Sequence, residues 1–256
     1  MLTYKLASTV LIFLAGLAGG LFAIRLERLP GRELATRLAN TFAGGVFLGA
    51  GLLHLLADAM EQFRIVTPNA GFPIVALLVG LGFLALLLLD KVFFVHDHHA
   101  AETFSASGSI YPYVLMIALS LHSIITGTAF GLEDNPVIAT AILIAVLAHK
   151  STAAMAMTVS FGRANLPSAR RRSLLLLFYC MTPMGVLLGT AVGSALEGPD
   201  EALAESIFDG LAAGTFLYVA VVNILTEEFA APNKRATLFA STAIGFTSMA
   251  LLAIWN

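Results

Sequence analysis

Leu6-Ala-Ser-Thr-Val-Leu-Ile-Phe-Leu-Ala-Gly-Leu-Ala-Gly-Gly-Leu-Phe-Ala-Ile24 runs nineteen residues without a charge. A helix needs about 20 such residues to cross the hydrocarbon core of a bilayer. A secretory leader is built similarly, and Lys5 before the run and Ala15, Gly16, Ala18, Gly19 and Gly20 near its end fit one. The flanks decide between the two. Basic residues are denser after the run, at Arg25, Arg28, Arg32 and Arg37, than before it. That pattern favours a retained span with its N-terminus outside.

Runs of the same size recur along the chain. Spans are expected near 6–24, 38–60, 72–94, 111–132, 136–161, 173–196, 203–226 and 237–255. Turn chemistry separates them at Pro30–Gly31, Thr67–Pro68–Asn69, Glu133–Asp134–Asn135–Pro136, Asn165–Leu166–Pro167 and Gly198–Pro199–Asp200. The composition agrees: 58% of the 256 residues are hydrophobic and 12% charged, against about 25% charged in a soluble domain. Mean hydropathy is +0.88. The fold class is therefore an all-α integral membrane protein with eight transmembrane helices in a single transmembrane domain, 1–256. The lipid bilayer is its first partner. A net charge of −2 with no basic domain gives no footing for nucleic acid, and one cysteine, Cys180, excludes an internal disulfide and a zinc finger.

Charge placement tests the count. With eight spans and both termini extracytoplasmic, the inner loops collect Arg25, Arg28, Arg32 and Arg37, then Lys91, then Arg163 and Arg170 to Arg172, then Lys234 and Arg235. The outer side keeps Lys5 and Arg64. This is the asymmetry of the positive-inside rule, and an odd number of spans would break it. The location expected is the cell membrane, multi-pass. Glycines at three- and four-residue spacing, such as Gly185, Gly189 and Gly193, allow close helix packing and permit a homodimer without requiring one.

Ionisable groups inside a bilayer are costly and mark pathways or sites. Span two carries His54 and Asp58, four apart and so on one face. Span four carries His122, Ser123 and Thr126. Span five carries His149 and Lys150, and span seven carries Asp209, Asn223, Glu227 and Glu228. Imidazole suits Zn²⁺ and related divalent ions, and three histidines on three spans point to a shared metal site. Lys150 either snorkels to an interface or stands as a fixed positive charge in place of a second metal. His96, Asp97, His98 and His99 form a loop cluster able to receive metal on the inner side.

Together these stretches resemble the ZIP (Zrt/Irt-like) family of divalent metal transporters, along essentially the whole chain. They are Gly44-Gly-Val-Phe-Leu-Gly-Ala-Gly-Leu-Leu-His54-Leu-Leu-Ala-Asp58, His122-Ser-Ile-Ile-Thr-Gly127 and His149-Lys-Ser-Thr-Ala153. Cys180-Met-Thr-Pro-Met-Gly185 and Asp209-Gly-Leu-Ala-Ala-Gly-Thr-Phe-Leu-Tyr218 resemble the branch containing the animal plasma-membrane zinc importers. The resemblance implies eight spans with outward termini in an inverted-repeat bundle. It implies His54, His122 and His149 as ligands with Ser123 beside them, and Asp58 lining the route toward the cytoplasmic side together with Glu227 and Glu228. It also implies transport of Zn²⁺, with Fe²⁺, Mn²⁺ or Cd²⁺ as further cargo, toward the cytoplasm, with no enzyme activity and no resident cofactor.

The chain departs from the family pattern where carboxylates are usual: Thr126 in span four, Ala153 in span five and Asn223 in span seven. Two other readings follow. Three histidines with an open metal position are the inventory of an intramembrane zinc hydrolase. The missing carboxylates also fit a transport-poor relative that binds metal without moving it.

Overall fold

A backbone in hydrocarbon must satisfy its own hydrogen bonds, so a chain of this composition spans a membrane as helices. A computed structural model describes residues 1–28, 30–93, 111–192 and 199–254. Among these residues it is helical, without strands, and eight helices are long and apolar enough to cross a membrane. Helix α1 spans Leu2–Leu26. Helix α2 runs as Arg32–Gly49, continues through a π-helical stretch Ala50–Leu55 and ends as Leu56–Val66. Helix α3 covers Ile74–Leu88 and a π-helical Leu89–Phe93. Helices α4, α5 and α6 span Tyr111–Leu132, Pro136–Arg163 and Ser168–Val192. Helix α7 runs as Pro199–Tyr218, a π-helical Val219–Leu225 and Thr226–Ala230, and α8 spans Arg235–Leu252.

Several helices outrun the apolar stretches that announce them. The expected 38–60 becomes 32–66, and 203–226 becomes 199–230. Apolar length measures the hydrocarbon core, whereas a helix ends where its hydrogen bonding does. Here the added turns carry the charged residues Arg32, Glu33, Arg64, Glu227 and Glu228, which end the apolar stretch without ending the helix. The cluster at His96, His98 and His99 lies outside the described residues.

The helices sort into two bundles. In the first, α1 packs on α5 and α6, and α6 packs on α4. In the second, α2 packs on α8 and α7, and α7 packs on α3. Exchanging α1 with α6, α2 with α7, α3 with α8 and α4 with α5 reproduces these pairings, as an inverted repeat requires.

Glycine contacts give the repeat atomic detail. A Cβ on Gly45 would land on the carbonyl oxygen of Thr242, and one on Gly245 on that of Phe42. In the other half, a Cβ on Gly214 would land on the oxygen of Val79, and one on Gly82 on that of Leu211. The same correspondence joins Gly19, set against the Ser151 carbonyl, to Gly185, set against that of Ile124. His54 stands nine residues after Gly45, and Asn223 nine after Gly214. Each therefore falls in the π-helical stretch of its helix. Such stretches turn side chains away from α-helical register and recur at functional sites.

Candidate metal site

Helices α4 and α5 carry His122 and His149 to the inner face of the first bundle. Both are buried, with ring centroids 5.6 Å apart. Phe216 of α7 faces them from the second bundle, 4.2 Å from the His122 ring and 6.2 Å from that of His149. Phe47 of α2 backs Phe216 at 5.1 Å. The imidazoles thus lie on the seam between the bundles.

His122 Nε2 is 3.2 Å from Thr126 Oγ1, the contact that four-residue spacing predicts. The Nδ1 atoms of both His122 and His149 are buried without a hydrogen-bond partner. Buried polar atoms are seldom left so, because an unmet hydrogen bond costs about 1–3 kcal/mol. Two such nitrogens on neighbouring rings are suited to accept a metal.

His54, on the π-helical stretch of α2, is buried on the opposite side of the seam within electrostatic reach of both rings. Its Nδ1 lies 2.9 Å from Asp58 Oδ2. A carboxylate at that nitrogen orients the ring and raises its basicity as a ligand. Among the described residues, no three His, Cys, Asp or Glu side chains converge as a ligand set in this conformation. Two of the three histidines are together, and the third is held across the seam.

Lys150 does not snorkel. It is 2% exposed, its ammonium donates to Ser123 Oγ at 3.1 Å and to the Phe178 carbonyl at 3.1 Å, and it sits 3.9 Å over the Phe178 ring. Ser123 is thereby engaged by a cation one position from His122.

The other polar residues divide between the two ends of the helices. Asp58 lies on the last part of α2 and Asp209 on the first part of α7, within electrostatic reach of each other and of His54. Ser206 of α7 donates to the Ala59 carbonyl at 2.9 Å, fixing these segments side by side. Glu227 and Glu228 lie at the far end of α7, where Arg37 and Arg163 meet them. The expectation that Asp58 accompanies Glu227 and Glu228 is therefore corrected. Helices α2 and α7 run in opposite directions, so a residue four positions beyond the centre of each points to opposite ends. Asp58 and Asp209 lie toward one end; Asn223, Glu227 and Glu228 lie toward the other.

At that second, basic end a cavity of about 500 Å³ opens between the bundles, lined among others by Asn40, Asp90, Ser160, Arg163, Asn223 and Glu227. It reaches Leu115 and Ala156, each two turns from the buried histidines on α4 and α5. Phe216 and Arg163 escaped the reading of the sequence. Phe216 is one apolar residue among many, and Arg163 already had an explanation as a loop charge.

A family model described as ZIP Zinc transporter matches residues 2–109 and 95–253. Zinc transporter ZIP2 of Mus musculus is 30% identical over 263 residues, covering 85% of each chain. Zinc transporter ZIP1 of Homo sapiens is 30% identical over 277 residues, covering 91% of this chain and 85% of its own. Protein zntD of Dictyostelium discoideum is 34% identical over 166 residues, which is 63% of this chain and 24% of that protein.

Proposed function

The chain belongs to the ZIP zinc transporter family, a family of membrane transporters rather than enzymes, and from that premise we propose that it carries Zn²⁺ toward the cytoplasm through the seam between its two bundles. The observation that carries this reading is the buried pair His122 and His149, their Nδ1 atoms unpartnered, facing His54 across that seam. Metal enters past Asp58 and Asp209, is held by His54, His122 and His149, and leaves past Asn223 into the basic-end cavity. Relative movement of the bundles brings His54 toward the other two rings and withdraws it again, so the ligand set is complete in one state and divided in the next. The basic end is the cytoplasmic end by the distribution of Lys and Arg, with both termini outside the cell.

Lys150 supplies a fixed positive charge beside the site in place of a second ion. Three neutral imidazoles bind Zn²⁺ but leave its charge uncompensated in a medium where charge is costly. Thr126, Ala153 and Asn223 supply no carboxylate, so binding is weak and release fast. Fe²⁺, Mn²⁺ and Cd²⁺ compete for the same ligands, and Mn²⁺, which favours oxygen donors, competes least.

The test is uptake of Zn²⁺, Cd²⁺, Fe²⁺ and Mn²⁺ by proteoliposomes holding the purified protein. Zinc and cadmium are expected to enter well above the rate of empty liposomes, with manganese slowest. Rates equal to empty liposomes for every metal would refute transport, and bound metal without flux would mark a binding protein.

A further inference from the structure

Ion pairs in this structure fall mostly within one bundle. Lys5–Asp134 and Arg171–Glu27 stay in the first, and Arg37–Glu228 in the second. Arg163 is different. It closes α5 of the first bundle, and its guanidinium reaches across the seam to Glu227 Oε1 at 2.8 Å and Glu228 Oε1 at 2.5 Å, both on α7.

These contacts stand at the wall of the basic-end cavity, beside oxygen donors suited to a cation. Glu227 lines it and is half exposed, while Glu228 behind it is buried. Asn40 donates through Nδ2 to Glu228 Oε1 at 2.7 Å, which fixes its amide and leaves its buried Oδ1 without a partner. Asn223 lines the same space. Despite these donors the cavity is balanced in charge. Among the described lining residues Asp90 and Glu227 offset Lys91 and Arg163, and behind them Arg37 offsets Glu228.

We propose that Arg163 is a tethered competitor cation. Its guanidinium occupies the carboxylates of Glu227 and Glu228 and prevents a departing divalent ion from settling on them. An arginine suits this task because its planar fork can engage two carboxylates at once and does not lose its charge. The purpose assigned here, fast release, rests on the transport reading. The ion competition itself does not depend on it.

Removing one positive charge about 6 Å from a dication tightens its binding by roughly tenfold, even at the dielectric constant of water. The probe is Mn²⁺, which prefers oxygen donors and largely ignores thiols and isolated imidazoles. Free Mn²⁺ is counted by electron paramagnetic resonance during titration of detergent-purified protein. R163Q should bind one Mn²⁺ about tenfold more tightly than the wild type. R163Q/E227Q, neutral again, should return to the wild-type curve, and R163K should stay near it. A164D adds a negative charge to the same cavity wall and leaves Arg163, Glu227 and Glu228 in place, so it should also tighten binding and carries the test if R163Q does not fold. Wild-type curves for R163Q, or for A164D where R163Q cannot be purified, would overturn the proposal. So would tightening that survives E227Q. Because binding is read at equilibrium without a membrane, a protein that transports nothing still gives an answer. If transport holds, R163Q should also lower maximal zinc flux with little change at low zinc, the signature of slowed release.

Discussion

A neutral imidazole donates a lone pair to Zn²⁺ only while it is unprotonated. Under the proposed ligation by His54, His122 and His149, metal and protons compete for the same nitrogens. The free side chain titrates near 6.5. Of the three, His54 with its carboxylate partner Asp58 gains a proton most readily, while His122 and His149 are enclosed and lack such a partner, so acid removes the His54 ligand first and binding weakens as pH falls. Zinc uptake at pH 5.5 should therefore be roughly tenfold or more below uptake at pH 7.5, where a site ligated by carboxylates would keep more of its activity. A flat profile over this range would count against histidine ligation. The burial of these three histidines was legible in the sequence, because each stands in an apolar span. The i, i+4 pairs His54–Asp58 and His122–Thr126 are both in contact. The fate of Lys150 was not legible, because it depends on the Phe178 carbonyl and ring, supplied by a helix whose neighbours no local pattern announces.

At the scale of helices, glycine decides which backbones touch. The sequence showed small residues at helical spacing without naming their partners, since packing in lipid depends on shape complementarity between distant segments rather than on a hydrophobic stripe. The structure pairs Gly45 with Thr242 and Gly214 with Val79 at equivalent points of the two repeats. Gly45→Ala and Gly214→Ala should then behave alike. Each Cβ meets backbone that cannot turn aside, which costs about 1–3 kcal/mol and should lower the melting temperature of the detergent-solubilised protein. Gly80 also lies within a helix, but a Cβ there meets nothing within 4 Å. Gly80→Ala should leave stability unchanged or raise it by about 0.5–1 kcal/mol. Equal effects at all three positions would deny the close approach. The π-helical stretches of α2, α3 and α7 also had no sequence signal, because an extra residue in a helical turn leaves hydropathy unchanged.

For the whole molecule, apolar runs and alternating charge led to eight spans, which the structure has among its described residues, and the structure adds how they divide. The histidines face one another across the boundary between two bundles, with Asp58 and Asp209 toward one end and a charge-balanced cavity at the other. The placement of Asp58 required this larger view: its neighbourhood in sequence says how far it is from His54, while only the opposed directions of α2 and α7 say toward which end. The proposed function rests, at this scale, on metal passing through the buried histidines rather than along another seam. The most direct measurement is the initial rate of ⁶⁵Zn²⁺ uptake by proteoliposomes containing equal amounts of folded wild-type or His122→Ala protein. The expected result is uptake well above empty liposomes for the wild type and loss of that excess for His122→Ala. Undiminished uptake by His122→Ala would contradict a route through this site.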